Sequence, residues 1–514
     1  MDNINNVADF TELIFQKRVL LFTWNLMQRE YPYHVASIAQ LADTAGAKLK
    51  LVVANQLSQR ETEHYNTSLF LEKLTNAHGT ETELIATSLR DLQKYKDVPG
   101  VRNLQELKKQ DPELYRSILS SWLSKNLITL DEDLTDKKLL NLLTQDLAEY
   151  EFWLSRSAEI IQQFSGEVVI IMNGRHHTNV ATRRSAEVLD QDYLFFESGI
   201  PKLERIFLQR WQPQDVTNYR VHYAESAQLL NESERFSAIE WAKDWLQKNR
   251  SDVKVNPFIH FQTQKASLTS RGVSYIPIFT SSTNEFFSNL NHPLNGWNYP
   301  DEGVIEVAKR IKVLGYRPIV RIHPNAGWKA MKELLFTLQR LLDNEIGYIL
   351  PWAEASSYDL LSKADFFVTW SSTLALEGTA MGLKGYTLGY THYDVVAGVE
   401  SISREALVSW NPIEGVSPSR NNALLQIYLQ NNYGIPVRRQ EWVEETKLPS
   451  RKKNTIKRIW KNTRLFCQAA RKPLESRPYD IYIFLSKCIG PKNADKVMRA
   501  FLETLLKTFT EDRK

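Results

Sequence analysis

Residues 317–325 read RPIVRIHPN, and residues 358–394 read YDLLSKADFFVTWSSTLALEGTAMGLKGYTLGYTHYD. In each stretch a short apolar run ends abruptly in polar groups. The run at 317–322 meets His323-Pro324, and the run at 366–370 meets Ser371, Ser372 and Thr373. Runs of this length, bounded by breakers, predict buried strands. A helical interval at 374–381 follows the hydroxyls. In open α/β sheets, ligands bind outside the carboxyl ends of the strands. Free N–H groups and hydroxyls at a strand-to-helix turn suit an anion. The two stretches therefore predict a phosphate-binding half-site in an α/β domain.

The pattern extends outward from there. Strands are predicted at 273–279, 317–322, 347–350, 366–370 and 385–388, with helices at 304–314, 328–343, 357–363 and 374–381. Strand–helix alternation of this kind builds a Rossmann-like parallel sheet. The first half repeats it: strand 18–24, helix 33–47, strand 51–54, then strand 167–172, helix 180–189 and strand 192–197. Between them, 56–156 carries apolar residues at three- and four-residue spacing and reads as a helical insertion. A helix is expected at 233–248 and a boundary between 250 and 272. The expected domains are 1–260, 261–440 and a basic helical tail at 441–514.

Composition sets the class. Of 514 residues, 43% are hydrophobic and 24% charged, as in globular proteins, and the length asks for more than one domain. The net charge of +4 does not by itself imply nucleic acid. Ten basic residues and no acidic ones fall between Lys447 and Lys472, among Ile456, Ile459, Trp460, Leu465 and Phe466. That run suits an amphipathic helix on an anionic membrane surface. Cys467 and Cys488 are the only cysteines, so neither a disulfide framework nor a zinc spacing is expected. The polar N-terminus predicts no secretory leader, and no apolar run spans a bilayer. A cytoplasmic protein, at the inner membrane face, is the expectation.

Candidate site residues follow from the strand ends. His323, fixed by Pro324, is placed to hydrogen-bond a phosphate or ribose. Three hydroxyls at Ser371, Ser372 and Thr373 exceed what one helix cap needs. Glu377 lies one turn further on. A second hydroxyl group, Thr280, Ser281, Ser282 and Thr283, ends the strand at 273–279. In the first half, Asn173, Arg175, His176 and His177 end one strand and Glu197 another, and Trp24 follows the first strand. The plain alternatives are a structural loop histidine, ordinary caps, and a surface His-His pair. Adjacent histidines rarely ligate one ion and no Asp-x-Asp pair accompanies them, so no metal is expected.

The His-Pro motif, the strand–Ser-Ser–helix–Glu unit and the lead-in of Tyr358-Asp359, Leu360-Leu361 and Ala364-Asp365 together resemble a family. They are similar to the GT-B glycosyltransferases of bacterial capsule and lipopolysaccharide synthesis, in particular the β-Kdo transferase group. The resemblance covers about 273–400, with weaker matches at 173–175 and 197–199. It implies two Rossmann-like domains facing across a cleft. It implies a metal-independent glycosyltransferase using a nucleotide sugar, CMP-Kdo for example, without a cofactor. His323, Ser371 and Ser372 would hold the nucleotide phosphate, Glu377 the ribose, and Tyr358 the base side. Arg175, His176, Asn173 and Trp24 would touch donor or acceptor. The acceptor would be a surface polysaccharide or a lipid-linked glycan.

Glycosyl transfer needs a carboxylate near the anomeric carbon. Glu197 and Glu285 are the candidates. The relatives carry Asp-Glu where this chain has Asn284-Glu285, and an asparagine does not act as a covalent glycosyl acceptor. Other readings of the same fold are a CDP-polyol phosphotransferase, a nucleotide-sugar 2-epimerase, and a non-catalytic polysaccharide assembly factor.

Overall fold

The computed structural model describes residues 6–24, 31–55, 66–86, 89–95, 103–124, 137–199, 204–213, 215–251, 274–281, 295–298, 300–328, 331–353, 355–412, 419–447, 478, 481–482, 485–486 and 491–511. They form two compact α/β units, each built on its own sheet. The α/β class and the two Rossmann-like units are those the sequence predicts. The basic run beyond Lys447, like Ser282 and Glu285, lies outside the described residues. Among the described residues no helix is long and apolar enough to cross a membrane.

The first unit holds the described residues up to Asp215 and again from Gln430. Its strands are β1 (Arg18–Thr23), β2 (Lys48–Asn55), β3 (Glu81–Ala86), β4 (Val168–Met172), β5 (Asp192–Ser198), β6 (Arg205–Gln209) and, near the C-terminal side, β13 (Ile435–Pro436). They lie in the order β13-β6-β5-β4-β1-β2-β3. β3, β2, β1, β4 and β5 pair in parallel, and β6 and β13 add antiparallel pairs at one edge. The central strands β1 and β4 are buried almost throughout. Their continuous apolar runs, VLLF and VVIIM, are what a parallel strand covered on both faces requires. Helices Tyr31–Thr44, Lys137–Phe164 and His177–Val188 supply the cover.

The second unit runs from Val216 to Leu429 and includes the helix Pro491–Glu511. Strands β7 (Tyr275–Phe279), β8 (Arg317–Arg321), β9 (Gly347–Ile349), β10 (Phe366–Thr369), β11 (Lys384–Thr387) and β12 (Glu400–Ser401) lie in the order β12-β11-β10-β7-β8-β9, all parallel. β7 sends Ile276 and Ile278 to one core, with Val304, Leu338 and Met498. It sends Tyr275 and Phe279 to the other, with Leu360 and Phe367. That alternation is the period-two rule of a two-sided sheet.

Three expectations are corrected. The boundary falls at Asp215–Val216 rather than near 260. Helices Val216–Leu229 and Glu232–Ser251 belong to the second unit because Ala242 and Leu246 pack against Ala375, Leu376, Ala423 and Leu424. Residues 430–447 are neither the end of the second domain nor, from 441, the start of a separate tail. They return to the first sheet, where Ile435 pairs with Ile206 and Tyr33 bonds Glu444. Finally, the insertion at 56–156 is not all helix. Gly79, at φ +61°, stops the helix Thr67–His78, and β3 then runs beside β2.

Candidate functional site

A parallel sheet has a ligand crevice where successive strands depart in opposite directions. In the second sheet β7 is flanked by β8 on one side and β10 on the other, so that point lies between β7 and β10. The residues just past these three strands are Thr280-Ser281, Ile322-His323 and Trp370-Ser371-Ser372. Adjacent strands thus bring together the hydroxyl groups and the histidine that the sequence singled out.

The local chemistry is specific. Thr280 Oγ1 accepts the backbone N–H of His323 at 2.8 Å, which ties the ends of β7 and β8. His323 Nδ1 accepts the N–H of Asn325 at 3.1 Å. That bond makes Nε2 the protonated ring nitrogen and a hydrogen-bond donor. Burial, and the nearby Arg321 guanidinium, lower the His323 pKa to about 4, so the ring is neutral near pH 7. Arg321 is spent on the carbonyls of Leu350 and Ala353. Pro324 opens a short 3-10 turn, Pro324–Trp328, and holds the loop in shape.

Ser371 sits at φ +47°, in the left-handed region that non-glycine residues avoid. Local strain of this kind persists only where the surroundings over-determine it. Its hydroxyl reaches the carbonyl of Tyr390 at 3.5 Å. Gly389 makes the fit possible, because a Cβ there would stand 2.5 Å from Ser371 Oγ. Ser372 Oγ accepts the N–H of Leu374 at 3.3 Å. Thr373 is the cap residue of the helix Leu374–Ala380 and makes no side-chain cap bond.

Glu377 is deeply buried and already engaged. Tyr358 donates its hydroxyl to Oε2 at 2.5 Å, and Asn249 Nδ2 lies 3.4 Å from Oε1. Burial raises its pKa, opposed by Tyr358, Arg250 and Asn249. The expected ribose contact and base-side tyrosine are therefore a bonded pair that braces the helix behind Ser371. The guanidinium of Arg250 covers the Tyr358 ring at 4.9 Å.

Sequence reasoning passed over a neighbouring group. Tyr219 and Tyr223, on the helix Val216–Leu229, stack at 5.8 Å, and His392 lies 5.7 and 5.2 Å from their rings. Arg220 pairs with Asp394 at 2.8 Å and lies 4.4 Å over the Tyr390 ring. The signal was present as NYRVHY, with aromatics at i and i+4, and as GYTHYD just beyond β11.

The first unit carries a different strand-edge group. Asn173, at φ +64°, follows β4 and donates through Nδ2 to Glu197 Oε2. Glu197 Oε1 accepts from the Tyr31 hydroxyl at 3.1 Å and from the Ser198 N–H at 2.9 Å. Asn173 Oδ1 in turn accepts Arg175 Nε at 2.8 Å. Three donors converge on the Glu197 carboxyl group. Asn173, Arg175 and Glu197 are thus one bonded set.

Two first-unit expectations are corrected. Trp24 is buried, packed edge-on against Trp153 at 5.7 Å, so its ring is core rather than a wall for an acceptor. His176 and His177 are not a surface pair. His177 is fully buried, and both Nδ1 atoms approach Ser121 Oγ, at 3.1 and 3.2 Å.

No protein-family model matches the chain, and no curated protein matches it. Among solved structures it is similar to the β-Kdo 2,4 transferase KpsC of Thermosulfurimonas dismutans. Identity is 14%, the match covers 50% of this chain and 78% of that one, and the TM-score is 0.34. It is similar to S. aureus MnaA in its UDP co-structure, at 12% identity, 84% and 94% coverage, and TM-score 0.30. The UDP-GlcNAc 2-epimerase of Methanocaldococcus jannaschii gives 12%, 80% and 97%, with TM-score 0.28. Likenesses this distant carry no activity over to this chain.

Proposed function

We propose that the chain is a glycosyltransferase whose second unit holds the phosphate of a nucleotide-sugar donor, a CMP-linked sugar such as CMP-Kdo. The observation that carries this reading is the meeting of Thr280, Ser281, His323, Ser371 and Ser372 at the ends of three adjacent strands. These are neutral donors, so they receive a phosphate oxygen without a competing internal charge. His323 gives its Nε2–H, and the serine hydroxyls rotate to suit. As the bond from the anomeric carbon to the phosphate oxygen breaks, charge develops on that oxygen. Fixed donors at that point stabilise the developing charge.

The acceptor hydroxyl forms the new bond to the anomeric carbon and loses its proton to a carboxylate. That step is assigned to Glu197 or Glu285. Glu197 is favoured by the bonds that fix it. The nucleotide leaves as CMP, and the acceptor is a surface polysaccharide or glycolipid. The basic run at 447–472 would bring a lipid-linked acceptor near through anionic headgroups.

Labelled donor incubated with a lipid-linked glycan tests the reading. Sugar transfer to the glycan is expected. Transfer of a phospho-polyol, or epimerised free nucleotide sugar without transfer, would replace it.

A further inference from the structure

The helices Lys137–Phe164 and His177–Val188 pack along one another, and three ionisable side chains meet in their seam. Asp146 and Glu149 stand three residues apart, on one face of the first helix. His177 opens the second. Its Nε2 lies 3.2 Å from Glu149 Oε2 and 3.9 Å from Asp146 Oδ1. One ligand atom from each residue lies within 4.8 Å of the other two. Relative exposures are 7% for Asp146, 8% for Glu149 and 0% for His177. Leu143, Leu147, Tyr150 and Trp153 of the same helix are core.

The hydrogen bonds around the group aim its atoms inward. Ser121 Oγ donates to the Ser117 carbonyl at 3.0 Å, so it receives Nδ1–H of His177 at 3.2 Å. That tautomer turns the Nε2 lone pair toward two carboxylates. Trp122 Nε1–H donates to Asp146 Oδ2, which leaves Oδ1 facing the imidazole. Acceptors facing one another away from water are stabilised by a proton or a metal cation between them. Partners that hold the far side of a histidine and of a carboxylate are also what surrounds a metal ligand set.

We infer that this seam binds one divalent first-row transition ion through Asp146, Glu149 and His177 Nε2. Ligands sharing an ion at about 2.0–2.2 Å sit roughly 3–3.5 Å apart. Here His177 Nε2 stands 3.2 and 3.9 Å from the two carboxylates and all three atoms lie within 4.8 Å of one another, so a bound ion draws the group slightly together. One imidazole and two carboxylates suit Zn²⁺ or Mn²⁺ better than Mg²⁺ or Ca²⁺, which prefer all-oxygen shells. No local pattern points to a metal here, because the carboxylates lie on another helix than the histidine. The ion clamps the two helices. It also fixes the backbone from Asn173 to His176, since His176 shares the Ser121 hydroxyl. The inference is independent of the proposed transferase activity.

The test uses the full chain, purified without added metal and assayed by plasma mass spectrometry. It is then stripped with a chelator and melted with Zn²⁺, Mn²⁺ or Mg²⁺. About one transition ion per chain is expected, with a higher Tm on Zn²⁺ addition and the smallest rise for Mg²⁺. Co²⁺ should give visible ligand-field bands. Glu149→Gln should lower Zn²⁺ affinity at least tenfold. If that variant does not fold, titration of stripped wild-type chain against a chromophoric chelator decides, with one tight Zn²⁺ site supporting the inference. Absence of a bound ion together with no Zn²⁺-dependent Tm shift would overturn it. Undiminished Zn²⁺ binding in a folded Glu149→Gln chain would overturn it as well.

Discussion

The carboxyl edges of the two sheets solve different problems. At the edge of the second sheet, Thr280, Ser281, His323, Ser371 and Ser372 are neutral, and their hydrogen bonds run largely to backbone. At the edge of the first, Tyr31, Asn173, Arg175 and Glu197 bond side chain to side chain around a carboxylate. Backbone-held neutral donors form a cradle that tolerates an incoming anion. A carboxylate would repel one, yet it can take a proton. On the proposed reading, phosphate binding belongs to the second edge and proton transfer to the first.

The largest way to break this division is Glu197→Gln. Turnover should fall by about 10²–10⁴, while nucleotide affinity stays within twofold. Equal loss of binding and turnover would place both tasks on one edge. Single-turnover assays and calorimetry separate these results.

Tyr358→Phe comes next. It removes a hydrogen bond to a buried carboxylate, so the second unit should lose about 1.5–3 kcal/mol in denaturant melts. An unchanged midpoint would show that the Glu377 pair does not brace the site. Gly389→Ala should sharpen the comparison from the other side. Its Cβ would meet Ser371 Oγ at 2.5 Å and displace the strained turn, so nucleotide affinity should drop about tenfold, or ~1.4 kcal/mol. The same variant should leave the Glu197 group untouched. Retained affinity would argue against Ser371 as a phosphate donor.

The smallest effect is in pH. His323 and His222 both have folded pKa values of about 4, lowered chiefly by burial, against an ordinary 6.5. The unfolded chain therefore binds these protons first. Their contribution to stability is complete above about pH 6.5 and is lost as pH falls toward 4. His323→Gln should flatten the melting-midpoint profile across that window. An identical profile would show that the imidazole is not held neutral.

Much of the fold was legible because buried parallel strands are continuous apolar runs. VLLF, VVIIM, YIPIF and FFVT declare themselves without partners. The misses have physical causes. β13 is two residues long and is a strand only because Ile206 pairs with it. β3 reads ETELIA, three polar residues followed by three apolar ones at a sheet edge, so it lacks a period-two pattern and sits inside what reads as helix. Among site residues, His323 and the serines were visible because strand ends mark themselves. Whether Glu377 faces a ligand or a tyrosine, and whether Trp24 faces a cleft or Trp153, depends on packing that no local pattern encodes. The Asp146–Glu149–His177 group is the extreme case, since its parts lie on different helices.

The central claim is that the edge with His323 holds the nucleotide. Calorimetric titration of CMP, CDP and UDP into wild-type and His323→Ala chains tests it most directly. The account predicts binding to the wild type, strongest for a cytidine nucleotide, and at least a tenfold weaker Kd for the variant, or ~1.4 kcal/mol or more. Equal affinity in the two chains, or no binding to either, would contradict it.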